Sequence, residues 1–361
     1  LTPQEISLSI NRRRLLVGAS LSTVALQSRT ANACPPDARD WLAPPALRAG
    51  DRVIFVAPAG PVDAGKVEKA RKVFEAHGLE VIVPKSLVSR RKGYLAGSDA
   101  ERLEELNNAI NEPNIAGIFP FRGGYGLTRI LDRVDYEGLR KHPKIVAGFS
   151  DITALHLAIA KKSRLITFHS PMPQAYLYDK EKENSVVTNS FWNSILKVRK
   201  TAEGAKGYDL ELPENGLKPK VLVGGRAMGR LLGGNLTLLC STLGTPFQVD
   251  FRGSILFFED VDEAPYRIDR YLSQLRLAGI LDEVSGIIVG TLTDSLDRDP
   301  AAQSACQDIF EHYFADLGVP VMTNFPVGHT RQNLTVPHGA EAELDADKPR
   351  LRVLESPVSP G

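Results

Sequence analysis

The stretch "KIVAGFSDITALHLAI", Lys144 to Ile159, changes its hydrophobic rhythm halfway through. Up to Phe149 it is a short apolar run bounded by turn residues, the pattern of a buried strand. From Asp151 onward it reads as a helix, DITALHLAIAKK. Gly148-Phe149-Ser150-Asp151 is therefore a strand–turn–helix junction.

The same alternation extends outward on the N-terminal side. RVIFVAPAG after Asp51 reads as a strand, and Val67, Ala70 and Phe74 then share one helical face that ends at Gly78. LEVIVP is the next strand. Ser98 and Glu101 form a capping box ahead of Leu103, Leu106 and Ile110, and Pro113 stops that helix. IAGIFPF follows as a strand, then a glycine turn, then LTRILDRV as a helix. Repeated strand–helix units of this kind predict an α/β fold with a parallel sheet covered by helices.

Toward the C-terminus the pattern fades between about Tyr176 and Pro219, apart from one amphipathic helix. A second region begins near Val221. It holds the glycine-rich VGGRAMGRLLGGN, the strand SILFF, and a helix through Ile268, Tyr271, Leu272 and Leu275. GIIVGTLT is a further strand, and Ala301 to Leu317 a further helix. AEAELDADKPRLRVLES alternates like exposed strands. The expected organisation is an α/β domain over 46–175 carrying Ser150, a linker region over 176–220, and a second domain over 221–356. No repeat of fixed period is present.

The chain has 361 residues, 43% of them hydrophobic and 24% charged, which is the composition of an ordinary globular protein. Its formal net charge of +1 gives no basic footprint for nucleic acid. No internal apolar run reaches the about 20 residues that cross a bilayer, so stable membrane insertion is not expected.

Residues 1–33 form a separate object. INRRRLLVGASLSTVALQSRTANA has a basic start, an apolar stretch from Leu15 to Leu26, and small residues at Ala31 and Ala33. That is the three-part pattern of a secretory signal. Arg12-Arg13 resembles a twin-arginine signal, which predicts periplasmic export; without export the chain is cytoplasmic. Cleavage after Ala33 removes Arg12, Arg13, Arg14, Arg29 and Glu5, leaving 40 basic and 42 acidic residues. A lipid anchor on Cys34 stays open, although Ala31 stands where a leucine is expected.

The three cysteines, Cys34, Cys240 and Cys306, make no disulfide framework. Cys240 and Cys306 read as small buried hydrophobes. No CxxC or HExxH spacing is present, so no metal is expected.

Ser150 admits two roles. Serine is a preferred helix N-cap. A sharp strand–turn–helix junction is also how an α/β fold presents a nucleophile beside a backbone N–H, although GxSxG is absent here. A serine nucleophile needs a base. Of seven histidines, His169 and His329 lie just past apolar strands, where α/β sheets bind ligands. SILFFEDVDE offers Glu259, Asp260, Asp262 and Glu263 as acids at a strand end. The turn FRGGYG, Phe121 to Gly126, lacks the spacing and lysine of a phosphate loop, but its backbone could donate to an oxyanion. The Gly224–Gly234 cluster reads as close backbone packing.

Taken together, GFSDITAL, RGGYG, GRLLGGNLTLLCSTLGTP, LFFEDVDEAPYRIDRYLSQL and FPVGHT…LTVPHGA resemble, in this order, the LD-carboxypeptidases, or muramoyltetrapeptide carboxypeptidases. The resemblance spans about Ala46 to Leu354 and extends to the microcin-C immunity peptidases. It implies a Rossmann-like N-terminal domain with a parallel sheet, a smaller β-rich C-terminal domain, and a homodimer. It also implies a serine triad of Ser150 as nucleophile, Glu259 as orienting acid and His329 as base. Backbone amides of Asp151 and Gly124 match the oxyanion donors. The implied substrate is the murein tetrapeptide, losing its terminal D-alanine, with no metal or cofactor. Two features depart from the pattern: the export signal, and FHSP where HGP is expected. The rival expectations are a peptidase or amidase cleaving peptidyl-nucleotides and a periplasmic peptide-binding protein, which needs no Ser–Glu–His trio.

Overall fold

The computed structural model describes residues 41–174, 185–196, 207–293 and 299–360. The signal segment 1–33 and Cys34 lie outside these residues.

Short runs rich in Val, Ile and Phe form the strands, and capped amphipathic segments form the helices between them. The first region runs β1 (Arg52–Val56), α1 (Ala64–Ala76), β2 (Glu80–Ile82), α2 (Ser86–Ser89), α3 (Asp99–Asn111), β3 (Ile115–Pro120), α4 (Tyr136–Lys141), β4 (Ile145–Gly148), α5 (Ile152–Lys162), β5 (Thr167–His169) and α6 (Val186–Leu196). The capping box at α3 is present: Ser98 accepts from the Glu101 N–H, and the Glu101 carboxylate accepts from the Ser98 N–H at 2.7 Å.

The second region runs β6 (Tyr208–Asp209), β7 (Lys220–Val223), β8 (Arg226–Asn235), α7 (Leu236–Thr242), β9 (Ile255–Val261), α8 (Pro265–Leu277), α9 (Ile280–Glu283), β10 (Gly286–Thr293), α10 (Pro300–Phe314), β11 (Val321–Thr323), β12 (Val336–His338), β13 (Glu341–Asp345) and β14 (Arg350–Val353).

Two sheets result. The first has the order β12-β5-β4-β3-β1-β2, and the second β6-β14-β13-β8-β9-β10-β11-β7. β1 to β5 pair in parallel, as the alternating pattern predicts. β12 comes from the second region yet pairs antiparallel with β5, with Val336 opposite His169. In the second sheet β8, β9, β10 and β11 are parallel, flanked by antiparallel strands. One core cluster joins the sheets, from Phe55 and Phe119 of the first to Phe257 and Leu344 of the second.

The structure corrects two expectations. LTRILDRV forms two 3-10 turns, Leu127–Arg129 and Leu131–Arg133, rather than one helix. Leu127 and Ile130, three residues apart, are both fully buried, and three is the 3-10 repeat. The tail strands are half-buried rather than exposed: Ala342, Leu344, Leu351 and Val353 are buried in the core, while Glu341, Glu343, Arg350 and Arg352 are only partly covered. The amphipathic helix expected between residues 176 and 220 is α6, which packs Phe191, Trp192 and Ile195 into the core, with Trp192 edge-on to Phe74 at 5.1 Å.

The glycine cluster behaves as expected. A Cβ on Gly233 would sit 1.8 Å from the Phe257 carbonyl oxygen, so β8 and β9 lie closer there than a side chain permits. Cys240 and Cys306 are buried.

Candidate active site

The C-terminal ends of β4 and β9 and the turn after β11 bring the candidate residues together. Ser150 lies two residues past the end of β4. It is not the helix cap: Asp151 holds the cap position of α5, and no side chain caps that helix. Ser150 instead has φ of 63°, a conformation that costs a non-glycine residue of order 1–3 kcal/mol. Such strain at a strand-to-helix turn lifts a serine hydroxyl clear of the sheet. The Ser150 carbonyl accepts the Thr153 N–H at 2.9 Å, which starts the helix.

The glycine turn leans against this serine. A Cβ on Gly123 would lie 2.9 Å from the Ser150 Cβ, 3.0 Å from Oγ and 3.3 Å from the Asp151 nitrogen. Only glycine allows that approach. The Gly123 carbonyl accepts from the Gly60 N–H at 3.0 Å. A trans peptide points the following Gly124 N–H the opposite way, away from Gly60. Among the described residues, neither the Gly124 nor the Asp151 N–H donates to another protein group. Both donors remain available to an incoming oxygen.

The Asp151 side chain ties the two turns together. Its Oδ2 accepts the Leu127 N–H at 3.0 Å, just past the glycine turn. Burial pushes this carboxyl up to about 6. Arg102, fully buried, grips the same loop by donating to the Gly126 carbonyl at 3.0 Å and to the Pro58 carbonyl. Nothing in the spacing of the sequence points to either contact.

Glu259 lies at the end of β9 and is fully buried. Its Oε2 accepts from His329 Nδ1 at 2.6 Å. That bond places the neutral imidazole's proton on Nδ1 and leaves Nε2 as the acceptor. The turn Val327–His329 is shaped for this contact. Gly328 has φ of 122°, and a Cβ there would lie 2.7 Å from the Glu259 Cβ. The Asn333 side chain accepts the Gly328 N–H at 3.0 Å, and the Val327 carbonyl accepts the Thr291 N–H at 2.9 Å. The His329 ring packs on Phe149, the neighbour of Ser150, with centroids 4.8 Å apart. The fold thus joins His329 to Glu259 and sets the imidazole against Phe149, the residue before Ser150.

Asp260 turns the other way. It accepts from Asn235 Nδ2 at 2.8 Å and from the Thr237 N–H and hydroxyl at 2.9 Å each. It therefore closes the N-terminus of α7. Burial, with the Glu259 charge beside it, pushes its carboxyl up to about 6.

His169, the other histidine at a strand end, is fully buried. Neither ring nitrogen finds a partner among the described residues, and burial holds it neutral, well below the usual range. It packs edge-on to Phe149 and Phe257, at 5.9 and 5.4 Å. His156 donates from Nε2 to the Gly148 carbonyl at 2.9 Å, and His338 stacks on it at 5.8 Å. His169 and His156 thus contact Phe149 and Gly148, the residues just before Ser150. Among the described residues no group of three or more His, Cys, Asp or Glu could hold a metal.

Known proteins resemble this chain over most of its length. Residues 53–170 match the LD-carboxypeptidase N-terminal domain, and 228–344 the LD-carboxypeptidase C-terminal domain. A probable murein peptide carboxypeptidase of Bacillus subtilis is 37% identical over 88% of this chain and 96% of its own length. The crystal structure of muramoyltetrapeptide carboxypeptidase from Oxalobacter formigenes superposes with a TM-score of 0.69 at 28% identity, over 84% of this chain and 97% of that one. The microcin C7 self-immunity protein MccF superposes with a TM-score of 0.78 at 25% identity, over 88% of this chain and all of that one.

Proposed function

This chain belongs to the LD-carboxypeptidase family, and we propose that Ser150, Glu259 and His329 make it a serine carboxypeptidase that removes the terminal D-alanine of murein tetrapeptides. The observation that supports the site assignment is the 2.6 Å hydrogen bond from His329 to the buried Glu259, with the imidazole packed on Phe149, the neighbour of a serine held at φ of 63°.

The chemistry follows from that arrangement. His329 Nε2 takes the proton of Ser150 as Oγ attacks the scissile carbonyl. Glu259 keeps the imidazole in the needed tautomer and stabilises it once protonated. The N–H groups of Asp151 and Gly124 receive the oxyanion, each such donor being worth roughly 3–4 kcal/mol in a comparable site. His329 then protonates the departing amine of D-alanine. Water hydrolyses the acyl-enzyme by the reverse route.

Mass spectrometry of a murein tetrapeptide incubated with the protein tests this reading. The expected product is lighter by one alanine. Cleavage only of a peptidyl-adenylate would instead place the chain with the microcin immunity peptidases. The Arg12-Arg13 segment supports export to the periplasm, where murein and its fragments lie. A homodimer rests on family resemblance and is checked by light scattering.

A further inference from the structure

A carboxypeptidase must recognise a free carboxylate close to the bond it breaks. Between the scissile carbonyl carbon and the terminal carboxylate carbon of the leaving residue lie only three bonds, about 3–4 Å. A cation that reads that carboxylate therefore belongs beside the oxyanion site. It also needs a guanidinium or ammonium not already committed to a protein acid.

Arg122 meets these conditions. It is the residue before Gly123, whose Cα faces Ser150, and it is half-buried. Its Nη1 donates to the Pro61 carbonyl at 3.2 Å, which anchors one edge of the guanidinium. Its Nη2 lies 3.9 Å from the position of a Cβ on Gly124, alongside the proposed oxyanion donor. Gly60 makes room for this arrangement, since a Cβ there would be 3.3 Å from Arg122 Nε. Neighbouring arginines are spent on acids: Arg102 and Arg129 on Asp99, at 2.6 and 2.8 Å, and Arg90 on Glu105. Arg122 has no carboxylate partner among the described residues. A half-buried, anchored guanidinium with an uncommitted edge suits a carboxylate, which it can bind through two parallel hydrogen bonds.

We infer that Arg122 is the specificity residue that binds the terminal carboxylate of the peptide, an inference that rests on the carboxypeptidase reading above. It explains how the site would separate a chain end from an internal peptide bond: only the former carries the charge.

The experiment compares a murein tetrapeptide with its C-terminal D-alaninamide analogue. Binding of both to the Ser150→Ala protein is measured by calorimetry, with Arg122 intact and with Arg122→Gln or Arg122→Lys added. With Arg122 intact the acid should bind about 10- to 100-fold tighter than the amide. Arg122→Gln should abolish that preference while leaving amide binding within about threefold, and Arg122→Lys should keep part of it. Equal binding of acid and amide with Arg122 intact overturns the inference. So does an Arg122→Gln loss that is equal for both ligands, since the arginine then only braces the loop. Retention of the preference in Arg122→Gln but loss in Arg331→Gln, beside His329, assigns the role elsewhere and overturns it too. Turnover by the unmodified protein is read separately. Acid-selective binding with no turnover would refute the enzymatic reading and leave the carboxylate site standing.

Discussion

Glu259 and Asp260 are adjacent in one strand and face opposite ways: the first holds His329 at 2.6 Å, and the second closes the N-terminus of a helix through Thr237 at 2.9 Å. Alternation along an extended chain produces this division. Glu259→Gln should lower turnover by up to about ten-thousandfold, as an equivalent amide does in a serine protease, with little change in thermal midpoint. Asp260→Asn leaves one oxygen where two accept from Asn235, Thr237 and Val261. It should cost about 1–3 kcal/mol of stability and keep most activity. Paired kinetics and melting curves check both, and an active Glu259→Gln beside a dead Asp260→Asn would reverse the roles.

Ser150 supplies no cap, so its removal has no helix to weaken. Ser150→Ala should lose on the order of a millionfold in rate, as for a comparable serine protease. Alanine still has to hold φ of 63°, so the midpoint should stay near that of the parent. Measurable peptidase activity in purified Ser150→Ala would eliminate it as the nucleophile.

Gly123 has no positive φ, so an alanine there strains no backbone. Its methyl would nevertheless meet Ser150 at 2.9–3.0 Å. Gly123→Ala should remain folded and lose on the order of 10²- to 10³-fold in kcat, comparable to the loss of one oxyanion donor. An unchanged kcat would mean that the loop and the serine do not cooperate.

Asp151 titrates at about 6 in the folded protein against 3.8 for the free side chain, and burial is the main cause. A raised carboxyl favours folding while protonated, so its contribution is complete below about pH 4 and is lost as pH rises through 6. The loss is on the order of 2–3 kcal/mol. Asp151→Asn cannot ionise and escapes it. The midpoint of the variant minus that of the parent should therefore climb between pH 4 and 6 and flatten above. A difference that stays constant across that window would refute the assignment.

Export is tested by replacing Arg12 and Arg13 with lysine. Precursor should accumulate in the cytoplasm. Normal periplasmic yield would exclude a twin-arginine route.

What could be read from the sequence was what lies at the ends of strands. Ser150, Glu259 and His329 each follow an apolar run, and apolar runs are visible without coordinates. Contacts between distant positions left no such trace. The Asp151–Leu127 bond and the grip of Arg102 on Gly126 join residues 24 apart in sequence through side-chain geometry alone. LTRILDRV carries a helical composition, and tertiary burial of Leu127 and Ile130 overrides it with 3-10 turns. Three residues, Val336 to His338, are too few to show a period, so the sequence carries no sign that β12 joins the first sheet.

That strand governs the order in which the molecule can be finished. A ribosome delivers Ser150 long before Val336, and until then β5, with His169 in it, has an open edge. The serine's own sheet is completed by a segment made only after both Glu259 and His329 have emerged. A nascent or truncated chain ending before residue 336 would lack this edge strand even with all three site residues already made. The edge it leaves open is the kind of surface that recruits stray strands. Shortened products should therefore aggregate or be degraded rather than circulate as unguarded peptidases.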